Sequence, residues 1–140
     1  MPYRFDLETG VEVLLVTSRG TRRWIIPKGW PIKGFKPARA AAREAYEEAG
    51  VRGRVAGRLG RYVYEKQLEK RAASFPCEVQ VFPLLVKKQL KKWPECKQRT
   101  VRWFPVPEAA ALIKDDKLRH LILQLGDRKG LVRRNRKGAR

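Results

Sequence analysis

Three glutamates, Glu44, Glu47 and Glu48, stand at i, i+3 and i+4 within Arg43-Glu44-Ala45-Tyr46-Glu47-Glu48-Ala49-Gly50-Val51. On a helix that spacing puts all three carboxylates on one face, where like charges repel. A hard divalent cation removes that cost. Mg²⁺ takes oxygen ligands and usually shares its sphere with waters and substrate phosphates. Arg43 reaches Glu47 one turn on, but one cation does not neutralise three acids. The plain alternative is a solvated acidic face with an Arg bridge.

The element that must position these acids is a helix over Pro37–Ala49. Pro37 suits a first turn, because the N–H it lacks is one that a helix start leaves unpaired. Ala38, Ala40, Ala41, Ala42, Ala45 and Ala49 are strong helix formers, and Gly50 supplies the left-handed stop. Ahead of the helix, the apolar, β-branched run Val11 to Thr17 reads as a buried strand. Trp24 to Pro27 reads as a short second strand that ends in Lys28-Gly29. The loop from Gly29 to Gly34 invites a phosphate-loop reading and fails it. A Walker loop needs Lys and then Ser or Thr directly after its second Gly, and Phe35 and Lys36 follow here.

Gly29 stands fourteen residues before Arg43, and Arg43 to Val51 reads R-E-A-x-E-E-x-G-V. This register resembles the Nudix box: Gly, five residues, Glu, seven residues, then Arg-Glu-U-x-Glu-Glu-x-Gly-U, with U a bulky apolar residue. Ala45 is a small occupant of the first U. One position departs from the pattern: the Glu expected six residues after Gly29 is Phe35. The resemblance implies an α/β Nudix fold, an α/β/α sandwich with a mixed central sheet. It implies a pyrophosphohydrolase that works with Mg²⁺ or Mn²⁺. Glu47 and Glu48 would be metal ligands, Glu44 a further ligand or the general base, and Arg43 the group that orients the glutamates. Gly29 would give close backbone approach, with a carbonyl near Lys28 or Gly29 joining the metal. An added acid from outside the box is expected, with Glu65, Glu78 and Glu95 as candidates. Phe35 leaves fewer acids around the cation and admits a fold retained with reduced turnover.

The charge balance speaks about partners. Thirty-three Lys and Arg against 14 Asp and Glu give +19, a surface that attracts polyanions. WIIPKGW followed by REAYEEAGV is similar to the branch handling diadenosine and diphosphoinositol polyphosphates. A cationic surface favours such many-phosphate substrates over an ADP-sugar, with Lys28, Lys33, Lys36, Arg99 and Arg102 as expected phosphate contacts. A 5′-RNA pyrophosphohydrolase is the nearest enzymatic alternative, since RNA suits the same charge. A non-catalytic Nudix-fold module that binds polyanion or RNA is the alternative from another class. The intact acidic triplet argues for the enzyme, because an anion binder gains nothing from three acids facing its ligand.

The length suits one domain over residues 1–126, followed by a basic tail over 127–140. No run approaches the ~20 apolar residues of a membrane span, and MPYRFDLETG lacks a secretory apolar region. Cys77 and Cys96 have no metal-ligand spacing and read as free thiols; a cytoplasmic location is the expectation. His120 is alone and reads as a helix surface residue. Val51 to Glu65 reads as one bent strand or two short ones, and Lys66 to Ala73 as a polar connection. Phe75 to Lys87 reads as a central strand, with Pro83 marking a bulge or an edge. Lys87 to Arg102 is a basic segment that reads either as a solvated loop or as a phosphate-binding wall, with Trp93 available to stack on a base. Val101 to Phe104 reads as a strand, then helices follow over about Pro107–Ile113 and Lys117–Leu125. Leu118, Leu121, Ile122 and Leu125 share the core face of the last one.

Overall fold

The computed structural model of the chain describes residues 1–28, 34–67 and 74–127. Its spine is β2 (Gly10–Thr17), a strand buried on both faces, as the apolar run Val13 to Val16 requires. β1 (Pro2–Asp6) runs antiparallel beside it. Between them Asp6 accepts the N–H groups of Glu8 and Thr9, which closes the turn. Pro2–Asp6 is a strand that the sequence pattern does not announce. β3 (Trp24–Ile25) pairs with the end of β2, and β8 (Val101–Pro105) with its other edge. β7 (Leu84–Gln89) lies parallel to β1 and antiparallel to β4 (Val51–Val55). The sheet is therefore mixed, in the order β3-β2-β1-β7-β4, with β8 branching from β2.

Alternation along β2 builds two cores. Val11, Val13 and Leu15 face one side and Leu14 and Val16 the other. Leu14 and Val16 meet α1 (Pro37–Ala49) through Ala45 and Ala49, together with Val51 and Leu84. The opposite side packs on α2 (Val106–Leu112) and α3 (Asp116–Asp127), where Leu118, Leu121, Ile122 and Leu125 are buried. Helices on both faces of one mixed sheet make the expected α/β/α sandwich.

One expectation is corrected. Phe75 to Lys87, expected as one central strand, is two strands: β6 (Ser74–Val81) pairs with β5 (Gly60–Gln67) in a separate two-stranded ladder, while β7 belongs to the main sheet. Pro83 has no N–H to give a ladder, so the chain changes sheets there. Its carbonyl still accepts the Ala56 N–H at 2.9 Å. Val51 to Glu65 takes the second of its two expected forms, two strands, β4 and β5. The basic tail expected over 127–140 lies, from residue 128 on, outside the described residues, as does most of the connection over 66–73.

Candidate active site

α1 ends as its sequence directs. Gly50 takes φ 68°, and its N–H returns to the Tyr46 carbonyl at 3.0 Å. A Cβ on Gly50 would lie 2.4 Å from the Trp93 ring, so glycine is required twice, by φ and by space. Trp93 donates its indole N–H to the Glu48 carbonyl at 3.1 Å. This is a correction to the expectation that Trp93 is available to stack on a base: its ring covers the end of α1, and its one donor is used.

Glu48 is the most enclosed of the three acids, 4% exposed. One carboxylate oxygen accepts the Lys28 backbone N–H at 2.6 Å and the other accepts from Arg99 at 2.9 Å. Both bonds favour the charged form, yet burial outweighs them and raises the Glu48 pKa to about 7. Arg99 is itself enclosed. Besides Glu48 it donates to Glu95 at 3.0 Å and to the Thr17 carbonyl at 3.0 Å. Arg99 is one of the phosphate contacts expected from the sequence. The structure gives it a different post, a clasp joining α1, β2 and the segment before β8.

Glu47 is half-exposed and pairs with Arg43 at 3.0 Å, the i, i+4 bridge expected from the sequence. Its carbonyl accepts the Glu95 N–H at 3.1 Å. Glu44, one turn earlier than Glu48, makes no hydrogen bond or ion pair among the described residues. Its pKa is raised by burial first and then by Glu47 and Glu95. Glu44 lines a cavity of about 130 Å³ with Lys28, Phe35, Ala40 and Glu78. Of the three outside acids considered, Glu95 lies nearest in effect, since it acts on both Glu44 and Glu48. Phe35, which replaces the box acid, packs its ring 5.1 Å from the Arg39 guanidinium and 5.7 Å from that of Arg43.

Among the described residues no three Asp, Glu, His or Cys side chains approach closely enough to hold one ion. Glu47 is drawn to Arg43 and Glu48 to Arg99, so the acids share a face without converging. Their chemistry still fits a hard cation. Every donor is a carboxylate oxygen, and Glu44 is half-buried, unpartnered and repelled by its neighbours, a condition a cation relieves.

The expected phosphate contacts scatter. Lys28 is half-buried, its ammonium 3.8 Å from the centre of the Tyr64 ring, and burial lowers its pKa. It lines the cavity beside Glu44 and also a second one of about 390 Å³, walled by Trp24, Tyr62 and Tyr64 with Arg23, Lys114 and Asp115. Lys36 is exposed at the start of α1. Arg102 alternates with Val101 and Trp103 on β8, faces away from α1, and lies 5.9 Å from the Phe104 ring. Gly29 and Lys33 lie outside the described residues. The aromatic cavity was missed in the sequence, although Tyr62 and Tyr64 at i, i+2 on one strand face carried its signal.

Comparisons with known proteins agree on the family. A family model described as NUDIX domain matches residues 4–125. The chain is 37% identical over 121 residues to Nudix hydrolase 17, mitochondrial, of Arabidopsis thaliana, covering 82% of this chain and 64% of that protein. It is 35% identical over 119 residues to diphosphoinositol polyphosphate phosphohydrolase 3-alpha of Mus musculus, covering 83% and 68%. It spans 54–66% of the length of the Arabidopsis relatives it matches. In fold it is similar to the C. elegans Ap4A hydrolase in a binary complex, with a TM-score of 0.63 and 18% identity over 89% of each chain. The NUDIX domain of Shewanella oneidensis NrtR complexed with ADP ribose aligns with a TM-score of 0.65 at 16% identity, over 91% of this chain and 82% of that one. With the box register on α1, the mixed sheet between helices and these matches together, the chain belongs to the NUDIX family.

Proposed function

We propose that this chain hydrolyses a phosphoanhydride in a polyphosphorylated small molecule, a diadenosine or diphosphoinositol polyphosphate. The observation that carries this reading is the contrast on one helix face between Glu48, tied to Lys28 and Arg99, and Glu44, left without a partner among the described residues. Glu47 and Glu48 are the residues that would hold Mg²⁺ or Mn²⁺, with Glu44 beside them as the base. Such a cation supplies charge neutralisation at the phosphate oxygens and a lowered pKa for bound water. Water oxygen bonds to phosphorus, the bridging P–O bond breaks, and the leaving phosphate departs as an anion. Glu44 takes the proton. Its raised pKa brings it closer to the range in which a base works near neutral pH. Arg43 holds Glu47 in place, and the Phe35 ring beside Arg43 steadies that arrangement where the family pattern has an acid.

Two observations bear on the rest of the substrate. The mouse relative bears a diphosphoinositol polyphosphate name. The cavity walled by Trp24, Tyr62 and Tyr64 suits a planar base, which stacks on aromatic faces. The test is turnover of both substrates with Mg²⁺ or Mn²⁺, beside Glu44→Gln and Tyr64→Ala. Glu44→Gln is expected to lower kcat by about 10²–10⁴. Tyr64→Ala should raise KM for the diadenosine compound and spare the diphosphoinositol one. Metal-dependent turnover unchanged in Glu44→Gln would remove the assigned base. No turnover on either substrate, or on 5′-triphosphate RNA, would favour the non-catalytic module.

A further inference from the structure

The cations of this chain fall into two populations. Arg4, Arg19, Arg43, Arg61, Arg99 and Arg119 each pair with a carboxylate. Among the other cations of the described residues, one group is gathered at one edge of the main sheet. Residues 50–59 and 84–94 contain seven Lys and Arg and no Asp or Glu. They build β4, the terminal strand of the sheet, and β7 beside it. Arg52, Arg54, Lys87, Lys88, Lys91 and Lys92 are all exposed, and none has an acidic partner among the described residues.

The local geometry raises this charge density. Arg52 stands directly across from Lys88 in the antiparallel ladder. Like charges so placed destabilise a sheet. The register then shifts between Arg52 and Gly53, so that Gly53 faces Val86 and Lys87 is the extra residue of a bulge. A bulge re-aims side chains, and Lys87, Lys88 and Gln89 are consecutively exposed. Gly53 keeps the bulge in place, because a Cβ there would lie 1.9 Å from the Leu85 carbonyl oxygen. The Arg52 guanidinium is held 4.4 Å from the Tyr46 ring centre. Arg52 and Arg54, two residues apart on one strand, are roughly 6.6–6.8 Å apart along it.

We infer that the β4–β7 edge is a binding surface for the phosphate backbone of a nucleic-acid strand, separate from the acidic face of α1. A linear row of unpaired cations matches a linear polyanion. Phosphates alternating with Arg52, Lys88 and Lys87 offset the repulsion that the free protein carries. An anionic membrane is the weaker match. The large apolar residues exposed among those described are Phe5, Leu7, Val63, Leu112 and Leu123, and none lies on β4 or β7 to enter a bilayer. Cations on an edge strand also discourage edge-to-edge aggregation. That role needs neither Lys88 opposite Arg52 nor a bulge that exposes one more lysine.

The experiment uses the full chain and a fluorescein-labelled 20-nucleotide single strand, as RNA and as DNA, with anisotropy read over a salt series. Two variants remove equal charge: Arg52→Gln/Arg54→Gln/Lys87→Gln/Lys88→Gln at the edge, and Arg133→Gln/Arg134→Gln/Arg136→Gln/Lys137→Gln in the tail. The edge variant is expected to weaken binding of at least one strand at least tenfold. It should also flatten the slope of log K against log salt by about 3, at roughly 0.7 for each phosphate no longer neutralised. The tail variant should change both less. The edge variant should melt no lower than the parent, since it relieves repulsion, and should hydrolyse a small polyphosphorylated substrate at the parent rate. The inference therefore stands or falls apart from the proposed function. An unchanged slope in the edge variant, a larger loss in the tail variant, or binding of phosphatidylserine vesicles without binding of either strand would overturn it.

Discussion

α1 has two unlike ends, although its acids differ by a single helical turn. At the C-terminal end Glu48 is buried, both its oxygens are bonded, Trp93 covers Gly50, and Arg99 ties the helix to β2. At the N-terminal end Lys36 caps without a side-chain bond and Gly34 has open space around it among the described residues, and mid-helix Glu44 has no partner among them. One end spends its polar groups on architecture. The middle of the helix leaves a carboxylate in an unfavourable setting that folding alone does not explain. The comparison teaches where to look for chemistry: sequence spacing makes Glu44 and Glu48 equivalent, and the fold does not.

Arg99→Ala is the strongest challenge to this contrast. It strands the Glu48 carboxylate in the interior, and removing one partner of a buried pair costs roughly 3–5 kcal/mol. Urea unfolding should show that loss, and a change below about 1 kcal/mol would mean the clasp is not structural. The pH dependence comes next, measured with a chelator present. Between about 4.5 and about 7 the native state holds a proton on Glu48 that the unfolded chain has released, so stability falls as pH rises through that window. Relative to Glu48→Gln, the parent should lose on the order of 3 kcal/mol across it; parallel curves for the two proteins would refute the buried, proton-holding carboxyl.

Two left-handed glycines sharpen the same comparison. Gly50→Ala meets both the φ penalty and the Trp93 ring, and is expected to cost roughly 2–3 kcal/mol. Gly34→Ala, at φ 83° with nothing within 4 Å, meets only the φ penalty, about 1–2 kcal/mol. Equal melting-temperature losses would erase the distinction between the ends. The smallest effect on stability belongs to Glu44→Gln, within about 0.5 kcal/mol of the parent, beside its large expected effect on turnover. A substantial destabilisation would recast Glu44 as a structural group.

Much of this was legible before folding. The helix from Pro37 to Ala49 follows from alanines, Pro37 and Gly50, and the Arg43–Glu47 bridge from i, i+4 spacing. What escaped were relations set by topology. Nothing local says that Arg99 and Glu48, 51 residues apart, will meet, or that Trp93 will settle on Gly50, because both depend on β7 leading the chain back past α1. The apolar run from Phe75 looked like one strand because period and β propensity are blind to a change of sheet. Pro83 carried the signal, and its consequence was larger than the bulge it suggested. Tyr62 and Tyr64 gave an i, i+2 hint, but Trp24 joins them only through the approach of β3 and β5.

β2 presents Val13 and Leu15 to one core and Leu14 and Val16 to the other, and it pairs with β1, β3 and β8 along its edges. It is the wall that both cores share. Neither core can loosen on its own, because each opening would strip the same strand of its packing. The molecule should therefore lose its structure in a single cooperative transition, with the β2 amides among the last to exchange with solvent. The helix that carries the acids and the helices behind the aromatic cavity are coupled in stability through the eight residues of one strand.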